Sequence, residues 1–166
     1  MSGPNREHPD TLAVMAYSTA EAQQQLLDDL AQAVDEIGVA LAALGGAYEL
    51  LDEHTADRLE EELFRPVQAA YGRAQRTHAG FAERIGLPGR AFEASVAGRA
   101  SQGAHSFLDA AMEAIGEADH LLVEIQDSMM PVEVGDAPLR AGLAETRELV
   151  DPLPDRAREL TRILGR

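Results

Sequence analysis

Between residues 27 and 51 the large apolar side chains Leu27, Leu30, Val34, Ile37, Leu41, Leu44, Tyr48 and Leu51 recur at alternating steps of three and four. That spacing is a heptad seam on one long helix. The shoulders of the seam are small, with Ala31, Gly38 and Gly45 on one edge and Ala33, Ala40 and Ala47 on the other. Two neighbouring helices can therefore approach it closely. Large residues in the seam and small ones beside it suit a helix packed among other helices, rather than one laid on a sheet.

Composition supports the same class. Aromatic residues make up 4% of the chain and Trp is absent, so Leu, Ala and Val must fill the interior, as in close-packed helices. A length of 166 residues suffices for one domain with a real core. Cysteine is absent, which excludes disulfides, thiolate metal sites and a Cys nucleophile. The fourteen basic residues are all arginine, the pattern of a GC-rich bacterial coding sequence or of avoided lysine modification. Chemistry that needs a Lys amine is excluded either way. The net charge of −15 opposes binding to nucleic acid or to an anionic membrane. No stretch approaches the roughly 20 continuous apolar residues of a membrane span, and the first residues lack a signal-peptide pattern, so a cytoplasmic location is expected.

In chain order, residues 1–9, with Pro4 and Pro9, read as a flexible tail, and residues 10–166 as a single domain. Asp10 can cap a short turn reaching Tyr17. Ser18-Thr-Ala-Glu21 is a capping box that marks the start of the first main helix, which runs to about Asp52. Thr55 is the expected cap of the second helix, whose core row is Leu59, Leu63, Val67, Ala70, Ala74, Phe81 and Ile85. Pro66 is expected to bend it, and Gly86-Leu-Pro-Gly89 ends it. The third helix takes Phe92, Val96, Ala100, Phe107, Ala111, Ala114, Ala118, Leu121, Ile125 and Met129, and residues 131–138 form a loop. The fourth carries Leu139, Leu143, Val150, Leu153, Leu160 and Leu164 and is broken near Pro152 and Pro154. Short connections make successive helices antiparallel, so the expected fold is an all-α, up-down-up-down four-helix bundle.

That topology brings His54 and His120 to one end, with Glu117 and Glu124 close by. Glu117-Ala-Asp-His120 resembles the E-x-x-H spacing of ferritin-like di-metal proteins, which implies a divalent-metal site at His54, Glu117, His120 and Glu124. The matching window on the second helix is Gln75-Arg-Thr-His78, and the first-helix seam contains no acid. His78 and His105 fall toward the opposite end without triad partners, and Gly45-Gly46 has no preceding strand that would make it a phosphate loop. Tyr48-Glu-Leu-Leu-Asp52 resembles the Y-x-x-x-D/E pattern of type VII secretion substrates, as does the stretch from Tyr17 to Glu21. No W-x-G turn accompanies either, and the seam assigns Tyr48 to the core.

Charge is unevenly spread. Residues 49–62 hold seven acids against Arg58, and residues 113–136 hold seven acids and no base. Arg65, Arg73, Arg76, Arg84, Arg90 and Arg99, joined by Arg156, Arg158, Arg162 and Arg166, are expected at the other end. The leading expectation is a non-enzymatic interaction module with one acidic and one mildly basic end, docking a protein partner or a second copy of itself. A metal-binding bundle is the alternative. A small apolar ligand held between helices around residues 103–114 is a third.

Overall fold

The computed structural model describes residues 9–94 and 103–164. Among them all regular structure is helical: α1 (Pro9–Tyr48), α2 (Glu53–Leu59), a π-helical turn (Glu60–Phe64), α3 (Arg65–Ile85), α4 (Ala104–Asp127), α5 (Met130–Glu133), α6 (Ala137–Val150) and α7 (Leu153–Leu164). The expected tail at residues 1–9 lies outside the description, apart from Pro9, which begins α1.

The seam of α1 is the spine. Leu27, Leu30, Val34, Ile37 and Leu44 are fully buried, and Leu41 and Leu51 pack against the core from its edge. Tyr48 does not join them. It is the last residue of α1 and 39% exposed, because the chain turns away there and no helix among the described residues covers it. Gly46 is small for a reason: a Cβ there would stand 2.8 Å from the Phe107 ring, which fills the space the glycine leaves.

The caps differ from expectation. Asp52, not Thr55, caps α2: its Oδ1 accepts from the Thr55 N–H at 3.0 Å and its Oδ2 from the Thr55 hydroxyl at 2.8 Å. Burial of Thr55 makes the donor, rather than the acceptor, its natural role. Ser18 caps nothing, since α1 passes through the capping box without a break. Ahead of Pro66, which has no N–H to give its i−4 carbonyl, the helix widens into the π turn rather than ending. Gly86, left-handed at φ 70°, closes α3.

The order of directions is corrected. Tyr71 lies against Gly38 and Arg84 pairs with Asp136, so α3 is antiparallel to α1 and α6 is antiparallel to α3. Phe107 covers Gly46, Glu117 lies near Glu36, and Gln23 reaches the Val134 carbonyl, so α4 also descends as α1 climbs. Thus α3 and α4 run the same way, up-down-down-up along the chain. The physical cause is the connection that starts at Gly86, which is a strap and not a turn. Residues 86–94 have no helical structure and climb α1, with Arg90 bidentate on Asp35 at 2.9 Å and Ala94 beside Gly38. Phe92 therefore belongs to the strap and not to a helix, whereas Val96 and Ala100 lie outside the described residues.

The loop expected at residues 131–138 is shorter than that, since α5 covers Met130–Glu133 and α6 begins at Ala137. Where α3 and α6 cross, Gly142 meets Thr77 directly, and the hydroxyls of Thr77 and Thr146 bond back to the carbonyls of Arg73 and Gly142 at 2.8 Å.

Candidate interaction surface

On α1 a second stripe, Leu26, Leu30, Ala33, Ile37, Ala40 and Leu44, is completely buried. Followed toward the N-terminus at the same helical spacing it passes through half-buried Ala22 to Thr19, Met15 and Leu12, and there it is bare. Every residue from Asp10 to Glu21 is exposed, Met15 at 62% and Tyr17 at 67%. The contact of Gln23 with Val134 at 3.1 Å marks where α1 leaves the body. What remains is an arm of about three turns, roughly 18 Å long. Residues 12–20 carry no charge at all, in a chain whose net charge is −15.

The root of the arm has its own apolar surface. Met130 of α5 lies against the α1 segment that includes Ser18, Ala22 and Gln25, and Met129 and Val132 beside it are exposed. Met129 is left-handed at φ 64°, a conformation that costs a residue with a Cβ about 1–2 kcal/mol. Strain of this kind concentrates at sites with a task. Met15, Met129 and Met130 also supply flexible side chains that can fit an irregular partner.

The residues considered for a metal are dispersed. His54 is exposed in the first turn of α2, beyond the end of α1. Because α4 descends, His120 falls about level with Ala33, more than roughly 20 Å from that end at 1.5 Å per residue. His120 Nε2 is 3.3 Å from Glu124 Oε1, both side chains more than half exposed. Glu117 is exposed on α4 near Glu36, whose carboxyl is pushed up by its own burial and then by Glu117, Asp35 and Glu113. Among the described residues no three His, Asp or Glu side chains form one group that could hold a metal ion. In the segment considered for an apolar ligand, Phe107, Leu108, Ala111 and Ala114 are buried in the core, with Phe107 plugging the space above Gly46.

The expected division into an acidic and a basic end is corrected by the topology. Arg156 reaches the Glu62 carbonyl at 3.4 Å, and Arg158 and Arg162 lie beside Leu108 at the start of α4, so these three arginines share an end with the acids of residues 49–62, whereas Arg99 and Arg166 lie outside the described residues. The acids of residues 113–136 run from mid-body to the root of the arm.

Burial of His78 is a feature that its sequence context does not announce. His78 is 3% exposed, packs edge-on against Phe92 at 5.2 Å, and its Nδ1 has no partner among the described residues. Burial, helped by Arg90, lowers its pKa against the opposing pull of Asp28, the Leu27 backbone and Asp35. Arg90 in turn lies 4.7 Å over the Phe92 ring, so the ring ties the strap to His78 of α3 and the guanidinium ties it to Asp35 of α1.

α1 is apolar enough by length and composition to cross a bilayer, with a mean hydropathy of 1.3 over one window, yet 56% of that window is buried, as in a core helix. No known protein family, curated protein or solved structure matches the chain.

Proposed function

We propose that this chain is a non-enzymatic interaction module that associates with a second copy of itself through the projecting arm of α1. The observation that carries the reading is the stripe Leu12, Met15 and Thr19, which continues a core-packing stripe in register through half-buried Ala22 and which none of the described residues covers. A helix bearing such a stripe is stabilised by another helix with the same spacing, and an arm is its own complement when two copies cross. The absence of charge across residues 12–20 removes the repulsion that two acidic bodies would otherwise feel at the contact. A lipid surface fits less well, because interfacial helices carry Lys or Arg along their polar face and this arm has neither. In this reading the body is a four-helix bundle, its second rod bent before Pro66 and its fourth broken at Pro152 and Pro154, and it holds the arm rigid and presents α5 beside it.

Light scattering on size-exclusion fractions at low and high salt is the test. A dimer that persists or tightens at high salt, and that Leu12→Glu with Met15→Glu converts to monomer without changing the far-UV spectrum, is expected. A strict monomer at both salts, or a dimer untouched by the two substitutions, overturns the proposal. So does flotation with neutral lipid vesicles by a protein that is monomeric without them.

A further inference from the structure

The far end of α1 carries a second feature, independent of the arm. Gly45, Tyr48 and Glu49, which share one face of the helix by their spacing, line a half-open notch of about 260 Å³ with Glu60 and Phe64 from the π turn. The wide π turn sets residues four apart nearly above one another, which is how Glu60 and Phe64 come to face the same notch. We propose that this notch is a binding site for a small alkylammonium or quaternary ammonium compound.

Three properties point to a cation with an apolar coat. Two aromatic side chains line the notch, and ring faces attract ammonium groups that carry methyls, which also need apolar contact. Two carboxylates stand at the same place: among the described residues Glu49 forms no ion pair, and Glu60 has one, with Arg65 at 3.8 Å and largely exposed. The notch also lies at the C-terminus of a helix of 40 residues with no basic side chain in its last turn, so the negative end of the helix dipole faces it uncompensated. Gly45 adds a fourth argument, because a glycine inside a helix costs about 1 kcal/mol relative to alanine. Neighbouring Gly46 is required by Phe107, whereas a Cβ on Gly45 would meet nothing within 4 Å. Packing therefore does not explain Gly45, but an open floor to the notch does.

The site takes a small ligand. A volume of about 260 Å³ lies just below the usual range for drug-sized pockets and leaves room for a tetramethylammonium or choline-like group. A neutral compound of the same shape would keep the apolar contact and lose the attraction of the rings, the carboxylates and the helix end.

The experiment is a titration of the ¹⁵N-labelled full chain with tetramethylammonium chloride, followed by amide shifts, with sodium chloride as the ionic-strength control. Choline and its neutral isostere 3,3-dimethylbutan-1-ol are titrated alongside. Saturable shifts at Gly45, Tyr48 and Phe64 with both cations, and at least about tenfold weaker binding of the alcohol, are expected. Gly45→Leu, which fills the notch, abolishes those shifts, and Glu49→Gln with Glu60→Gln weakens the binding about tenfold. The double variant changes surface carboxylates alone and carries the test if the leucine disturbs folding. No saturable shift up to about 50 mM, equal binding of the alcohol, or unchanged binding in the double variant overturns the proposal.

Discussion

Replacing Gly142 by alanine should destabilise the protein, although the same change improves almost any isolated helix. A Cβ on Gly142 would fall 2.6 Å from Thr77 Cγ2 and 2.9 Å from Thr77 Cβ, and closer still to the hydroxyl oxygen. Thr77 cannot swing aside cheaply, because it is β-branched and buried and its hydroxyl is bonded to the Arg73 carbonyl at 2.8 Å. Relief therefore requires α3 and α6 to move apart along a contact that also includes buried Thr146 and the ion pair between Arg73 and Glu145. Overpacking costs about 1–3 kcal/mol, and a Cβ that collides with three atoms of one buried side chain falls in the upper part of that range, about 2–3 kcal/mol; the better helix propensity of alanine returns up to about 1 kcal/mol, which leaves a net loss of about 1–2 kcal/mol. For a chain of this size that corresponds to a fall in Tm of about 3–6 °C.

Urea titration followed by far-UV circular dichroism measures the difference. Two controls make the cause visible. Gly45→Ala, whose Cβ enters open space, should stabilise by about 0.5–1 kcal/mol. In a Thr77→Ala background the penalty of Gly142→Ala should shrink by about 1 kcal/mol or more, because the atoms in collision are gone. If Gly142→Ala is as stable as the parent, or if its penalty is the same with and without Thr77, the close crossing of α3 and α6 is not what the glycine serves.

Two further outcomes test the strap. His78 has a pKa lowered by burial, so between that depressed value and its unfolded value near 6.5 the unfolded chain binds more protons than the folded one. Stability should then be full above that window and fall as pH drops through it, and His78→Gln should remove this part of the pH dependence in urea titrations at pH 7 and pH 5. The groups facing the imidazole are Arg90 and Phe92 from the strap and Asp28 and Asp35 from α1. Arg90→Ala removes a half-exposed ion pair and should cost less than about 1 kcal/mol globally, while amide exchange across residues 86–94 accelerates. Unchanged exchange there would mean that Arg90 does not hold the strap.

What the sequence revealed depended on how local the physics was. The seam from Leu27 to Leu44 was legible because period and burial are the same fact on a long helix. Tyr48 continued the period but not the burial, since at a helix end the next turn of chain decides what covers a side chain. The Ser18 to Glu21 box had the right residues for a start signal. It sits inside α1 because the preceding Leu, Ala and Met are good helix formers, so the helix has no reason to begin there. The direction of α4 was beyond local reading. Treating residues 86–89 as a turn placed Phe92 on a helix and reversed α4, and with that error the acidic and basic ends and the pairing of His54 with His120 were misplaced. The notch at Tyr48 was equally hidden, since two of its five lining residues, Glu60 and Phe64, depend on a π turn that no residue pattern announces.

Helix lengths connect the strap to the arm. At 1.5 Å per residue α1 is about 60 Å long, against about 36 Å for α4 and about 32 Å for α3. Both shorter helices reach toward the C-terminal part of α1, α4 through Phe107 at Gly46 and α3 through the π turn beside Tyr48, so the whole excess falls at the N-terminus. The body is complete without that excess: the core of α1 begins at Leu26, and no residue from Asp10 to Glu21 is buried. Deleting residues 1–20 should therefore leave the unfolding free energy of the remaining chain, from urea titration, within about 0.5 kcal/mol of the parent measured as monomer, while abolishing association by light scattering. A loss well beyond that margin would mean the arm folds back on the body. A truncated protein that still dimerises would move the contact to Met129 and Val132, whose exposed side chains the deletion leaves in place.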